Sequence, residues 1–169
     1  MSTISDWQIA QLAQHQDLIL PYNPEQVNPA SYDVTLGPKI LIEEQEGWRE
    51  VDISIPGFHM GPGCFVLAHT VEVVKIPPYL ECTFQLKSSR GREGYEHALA
   101  GYIDPGFEGQ VTLELTNLNK YHWLPLQAGI RIGQLRFMKM DQPPARPYNL
   151  TGRYNRDLGG SAQQGLTEP

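Results

Sequence analysis

Only two cysteines, Cys64 and Cys82, occur in 169 residues, which removes a disulfide framework and a cysteine-rich zinc site from consideration. Two thiols allow one structural pair at most, and reduced, buried side chains are the simpler expectation. No run of about 18 apolar residues occurs, so nothing reads as a membrane-spanning helix. The first dozen residues hold Asp6 and no basic stretch ahead of an apolar core. No export signal is legible there, and a cytoplasmic protein is expected. Positive charge is scarce as well. Thirteen Lys and Arg stand against 19 Asp and Glu, and the net charge of −6 argues against a general nucleic-acid-binding surface. Neither a membrane nor a nucleic acid is an expected partner.

What the chain has in excess is punctuation. Sixteen Gly and 14 Pro make up roughly 18% of the residues, against a usual ~12%. They leave few stretches long enough for helices, and the residues between them alternate. Tyr32, Val34 and Leu36 alternate with Asp33 and Thr35; Leu80, Cys82, Phe84 and Leu86 with Glu81, Thr83 and Gln85; Val111, Leu113 and Leu115 with Thr112, Glu114 and Thr116. A period of two predicts half-buried strands, and short strands between turns predict a sandwich, jelly roll or small barrel. One helix is expected near the start, where Ser5 and Gln8 form a capping-box pattern. At Gly133 the apolar phase shifts, which predicts a bulge. One domain over residues 1–148 is expected, followed by a polar tail, 149–169, that is mobile unless something binds it. Trp7, Trp48 and Trp123 are read as packing residues.

Charge is unevenly spread, and the second half is the basic one: residues 87–169 carry ten basic side chains and eight acidic. There, Lys87-Ser88-Ser89-Arg90-Gly91-Arg92-Glu93-Gly94 follows a strand directly. It offers hydroxyl donors, positive charge and a backbone able to turn, which suits a phosphate chain but also an exposed connection. Further on, Ala100-Gly101-Tyr102-Ile103-Asp104-Pro105-Gly106 leads into the strand bearing Glu114. That carboxylate lies opposite the apolar face, either solvated or looking into a cleft between subunits, where it could act as a general base.

These segments resemble a known family. The order Ser88-Ser89-x-Gly91-Arg92-x-Gly94, His97-x-x-Ala100-Gly101-Tyr102-Ile103-Asp104-Pro105-Gly106-Phe107, Thr112-Leu113-Glu114, and then Gly129-Ile130-x-Ile132-Gly133-Gln134-Leu135 is similar to that of the dCTP deaminase family within the dUTPase superfamily. Asn28 to Gly37 resembles its first motif and Arg146-Pro147-Tyr148 a late one. The resemblance implies a mainly β, distorted jelly-roll subunit with a short N-terminal helix, and a homotrimer with active sites at subunit contacts. It also implies dCTP and dUTP as substrates, and magnesium held by the triphosphate rather than by protein side chains.

Carried over by position, Glu114 matches the glutamate that activates the attacking water, and Ser88 and Arg92 the residues that orient water, base and triphosphate. Asp104 matches the aspartate at the sugar 3′-hydroxyl, and the Ala100 carbonyl helps hold the water. Lys87 and Ser89 would face phosphate, with Gly101, Tyr102 and Ile103 lining the nucleoside. Tyr148, Arg153, Tyr154 and Gln164 resemble the late ribose and phosphate contacts and the closing tail. Zinc deaminases of bases use a His-x-Glu with a later Pro-Cys-x-x-Cys, and neither occurs here, so the expected chemistry needs no zinc.

Ala100-Gly101-Tyr102 resembles members that both deaminate dCTP and hydrolyse the product to dUMP and pyrophosphate. Deamination alone, dUTP hydrolysis alone and a non-catalytic nucleotide binder stay open. The sequence also departs from the family's pattern. Leu99 stands where a threonine of the family's switch is usual, which puts inhibition by dTTP in doubt. The 88–103 loop is one residue shorter, Arg153 replaces a lysine, and Asp157 to Ala162 look inserted.

Overall fold

The computed structural model describes residues 2–98 and 100–156. Chain order begins β1 (Ser2–Thr3), α1 (Asp6–Gln16), β2 (Ile19–Leu20), a 3-10 turn at Pro24–Gln26, β3 (Val27–Asn28), β4 (Ser31–Thr35), β5 (Lys39–Glu44) and β6 (Gly47–Asp52). It continues through β7 (Phe58–Met60), β8 (Phe65–Lys75), β9 (Leu80–Leu86), α2 (Ser88–Glu93), β10 (Tyr95–Glu96) and β11 (Tyr102–Ile103). It closes with β12 (Glu108–Asn117), β13 (Leu124–Leu126), β14 (Arg131–Lys139) and α3 (Tyr148–Thr151).

One sheet runs β11-β9-β14-β4-β3 with β1 also on β14, a second runs β10-β12-β8-β5-β6 with β2 on β8, and β13 pairs with β7. The inward residues of both large sheets, among them Tyr32, Val34, Phe84, Leu135 and Phe137 from the first and Val66, Ala68, Leu113 and Leu115 from the second, form one core. This is the mainly β architecture that the alternation predicted. Burying such side chains contributes about 1.5–3 kcal/mol each, which is why the period-two segments are held as strands.

A polar tie joins the sheets as well. Glu72 of β8 is buried, and its carboxylate accepts from Gln26 Nε2 at 2.9 Å, from the Thr35 backbone N–H at 2.9 Å and from the Thr35 hydroxyl. These three donors satisfy the carboxylate locally.

Several local expectations hold. At the start of α1, Gln8 reaches back to the Ser5 N–H at 3.1 Å, and Ile9 and Ala13 are the buried face. Pairing of β14 with β4 slips between Arg131 and Gly133, the predicted bulge. Cys64 and Cys82 are both free thiols, but only Cys82 is buried as expected, Cys64 being half-buried; burial pushes the Cys82 thiol well above its ordinary value. Two expectations fail. Trp7 and Trp123 are 63% and 64% exposed, Trp123 lying over Gly61 at the surface, whereas Trp48 packs edge-on to Phe65 at 6.0 Å. Asp33, on the polar phase of its strand, is 2% exposed. It is covered because Asn28 Nδ2 donates to it at 2.9 Å and Lys87 forms an ion pair with it.

Candidate functional site

The phosphate-type segment folds as a short helix rather than an open loop. Lys87 is the N-cap of α2, and Gly94 ends it in the left-handed region at φ 105°. Ser88, Ser89 and Arg92 are exposed on it. Its other two cations are engaged. Lys87 pairs with buried Asp33, and Arg90 pairs with Glu93 at 2.6 Å. Arg92 is therefore the cation of this segment without an ion pair among the described residues. Asp33 was missed by sequence reasoning, because period two put it on the solvent side and nothing in the pattern signals a lysine 54 residues later.

Glu114 lies mid-strand in β12, opposite Leu67 of β8 and with its side chain on the face away from the core. The position is half-buried. That burial raises the Glu114 carboxyl above the ordinary glutamate value, offset in part by a hydrogen bond to its own backbone. A carboxylate with less water around it holds a proton more tightly and so is a better base. The end of the same strand lies against β10 and the C-terminal end of α2: Thr116 pairs with Glu96 of β10, and the Leu118 N–H donates to the Gly94 carbonyl at 2.9 Å.

A second cluster forms around β11. Tyr102 and Ile103 pair with Thr83 and Cys82 of β9, and the Phe84 N–H donates to the Gly101 carbonyl at 2.7 Å. Gly101 is required by this approach, since a Cβ there would overlap the Phe84 carbonyl oxygen. Ile103 is buried, whereas Tyr102 is exposed and donates its hydroxyl to Glu81 at 3.1 Å. Ala100 is exposed, with its N–H bonded to the His97 carbonyl at 3.3 Å. Half-buried Asp104 opens the next turn, its carbonyl accepting from the Phe107 N–H at 3.1 Å.

The chain's later part folds onto that turn. The Tyr148 N–H donates to the Pro105 carbonyl at 2.8 Å, and the Tyr148 ring lies 5.7 Å from that of Phe107. The Tyr154 N–H donates to the Tyr148 hydroxyl at 3.1 Å, and Arg153 is exposed beside it. Gln164 lies outside the described residues, as does Leu99.

The structure thus makes two clusters. Lys87, Ser88, Ser89 and Arg92 form one, on the helix that abuts the strand of Glu114; Gly101 to Asp104 with Tyr148 and Tyr154 form the other. The β9 strand separates them. Ile103 sits against Cys82, and Ser88 lies six residues beyond Cys82, about 20 Å along extended chain at roughly 3.3 Å per residue. That is longer than a deoxynucleoside triphosphate from sugar to terminal phosphate. No group of three or more His, Cys, Asp or Glu side chains fit to hold a metal ion occurs among the described residues.

Fold and motifs together define a dUTPase-like protein with a half-buried carboxylate at Glu114 and two separate clusters of polar side chains. A profile of the dCTP deaminase-like family matches residues 3–140, and the chain belongs to that family. A protein from Aquifex aeolicus named dCTP deaminase, dUMP-forming, is 38% identical over 166 residues, covering 92% of this chain and 91% of its own. One of the same name from Thermobifida fusca is 37% identical, covering 88% and 80%. Among solved structures, the 2′-deoxycytidine 5′-triphosphate deaminase of Agrobacterium tumefaciens superposes with a TM-score of 0.70 at 23% identity. The match covers 82% of this chain but 48% of that one. A point mutant of the dUTPase from Staphylococcus aureus phage phi11, described with a structural Mg(II) ion, gives 0.51 at 14% identity, covering 74% and 86%. These two likenesses concern the fold alone.

Proposed function

We propose that the chain hydrolyses dCTP to dUTP and ammonia, and then dUTP to dUMP and pyrophosphate. The single observation that carries the first reaction is Glu114: a half-buried carboxylate, raised in proton affinity by burial, on the strand that abuts the helix bearing Ser88 and Arg92. In that step Glu114 takes a proton from water as the oxygen adds to C4 of the cytosine, and returns it as the amino group leaves as ammonia. Ser88 and the Ala100 carbonyl hold the water, and Arg92 and Ser89 meet the triphosphate. Lys87 stands next to them, steadied by Asp33.

In the second step water adds to the α-phosphorus and pyrophosphate leaves. Asp104 binds the sugar 3′-hydroxyl and helps place that water, within a wall formed by Gly101, Tyr102, Ile103 and Tyr148. A magnesium ion held by the triphosphate oxygens would neutralise charge on the leaving group. Arg153, Tyr154 and Gln164 make late contacts with the ribose and phosphates as the tail closes over the nucleotide.

The separation of the clusters along β9 supports a site made between copies, with the phosphate and base side from one chain and the sugar side from its neighbour, in a closed homotrimer. The proposed site of action is the cytoplasm. No described helix is long and apolar enough to cross a membrane. Incubation with dCTP and magnesium, followed by nucleotide separation, tests the proposal. It predicts dUMP with pyrophosphate; accumulating dUTP would leave deamination alone, and unchanged dCTP would overturn both steps.

A further inference from the structure

The segment after the last strand is tied to the Asp104 turn at two separate places. Tyr148 makes the first tie, through the Pro105 carbonyl and the Phe107 ring. Asn155 and Arg156 make the second. Asn155 Oδ1 accepts the Glu108 N–H at 3.0 Å, and the Arg156 N–H donates to the Glu108 carbonyl at 2.5 Å, so both backbone groups of Glu108 are taken by consecutive residues.

Between these ties the chain closes on itself. The Gly152 N–H donates to the Tyr148 carbonyl at 2.6 Å, and the Tyr154 N–H reaches the Tyr148 hydroxyl at 3.1 Å. A Cβ on Gly152 would overlap the Tyr148 ring. The ring is thereby held between Gly152 and Phe107, and Phe107 is the chain neighbour of Glu108. Of the bonds between this knot and Glu108, the Asn155 bond is the one made by a side chain, so it can be changed without altering the Tyr148 ring.

We propose that Asn155 is a positioning residue: its side chain locks residues 147–156 onto the Glu108 end of the turn, so that Tyr148 and Asp104 act as one rigid wall for the deoxyribose. This rests on the function proposed above, in which that wall meets the sugar. Asn155 touches no reacting atom. Its effect is to keep the wall assembled before the nucleotide arrives, which saves the ordering cost at binding and leaves the chemical step alone.

The test compares Asn155→Leu, which removes the acceptor, with Asn155→Asp, which keeps an oxygen there. Arg153 and Arg156 are the last basic residues of the chain, so limited trypsin digestion reads the tie directly. Losing one such hydrogen bond is expected to speed cleavage after them, and to raise KM for dCTP, about fivefold each, with kcat within about twofold and the Asp variant near wild type. Unchanged cleavage in the Leu variant would overturn the tie, and faster cleavage with unchanged KM would overturn the positioning role. A loss confined to kcat would also overturn it. A wild-type protein that leaves dCTP untouched would instead fail the functional proposal, with digestion still judging the tie.

Discussion

The two walls of the site are built on different principles. Around Asp104 the turn is held almost entirely by backbone. The Gly106 N–H donates to the Ile76 carbonyl at 2.9 Å, the Ile76 N–H to the Phe107 carbonyl at 2.8 Å, and the 147–156 segment closes over the outside. Around α2 the candidate side chains Ser88, Ser89 and Arg92 stay exposed, whereas Lys87 is anchored to Asp33 and Arg90 to Glu93. A sugar hydroxyl needs a donor or acceptor in one place, which a backbone-fixed turn supplies. A triphosphate carries diffuse charge, which an exposed cation such as Arg92 can meet from several directions. In the proposed function, shape selection would belong to the first wall and charge attraction to the second.

The largest effect should come from Glu114, which stands beside the charged wall. Glu114→Gln keeps shape and removes the base. Deamination should fall by about 10²–10⁴-fold while dCTP binding, measured by calorimetry, stays close to wild type. Turnover near the wild-type rate would remove Glu114 from the mechanism and leave that wall as a binding surface only.

A smaller effect is expected at the rigid wall. Gly101→Ala pushes β11 off β9 against a carbonyl oxygen that cannot move alone. The expected cost is about 1–3 kcal/mol in unfolding free energy, with a raised KM for dCTP. A variant as stable as wild type would mean that the wall yields, and the contrast in rigidity would go with it.

The smallest effect is a pH dependence. Burial raises the Glu114 carboxyl in the folded state, so the native protein binds that proton more tightly than the unfolded chain. Stability therefore falls as pH rises from the ordinary glutamate value through the raised one. The penalty is absent below that window and fully present above it. At neutral pH Glu114→Gln should melt slightly higher than wild type, and the gap should close as the solution is acidified towards the ordinary glutamate value. A gap that is constant with pH would contradict the desolvation of Glu114.

Much of this was legible from residue order. Alternation revealed the strands at Tyr32, Leu80 and Val111 because each has one face in the core and one outside it. The bulge at Gly133 showed as a phase change for the same reason. Asp33 was not legible, since burial of a polar-phase residue depends on Lys87 and Asn28 arriving from elsewhere in the chain. Trp7 was not legible either: a tryptophan at a helical position looks apolar whether or not another element covers it. Each candidate side chain could be named, but their division into two clusters could not. That follows from β9, whose length sets Ser88 and Asp104 at opposite ends, and no spacing of residues in the sequence states it.

The central claim is that one active site takes its two walls from two copies of the chain. Arg92→Ala damages the charged wall and Asp104→Asn the rigid one, and each variant alone should form little dUMP. Co-refolding the two in equal amounts tests the claim most directly. If each site joins neighbouring copies, random assortment restores both walls in about a quarter of the sites, so dUMP formation from dCTP should return to about a quarter of the wild-type rate. A mixture no more active than the average of the two variants would contradict it, and would place both walls in a single chain.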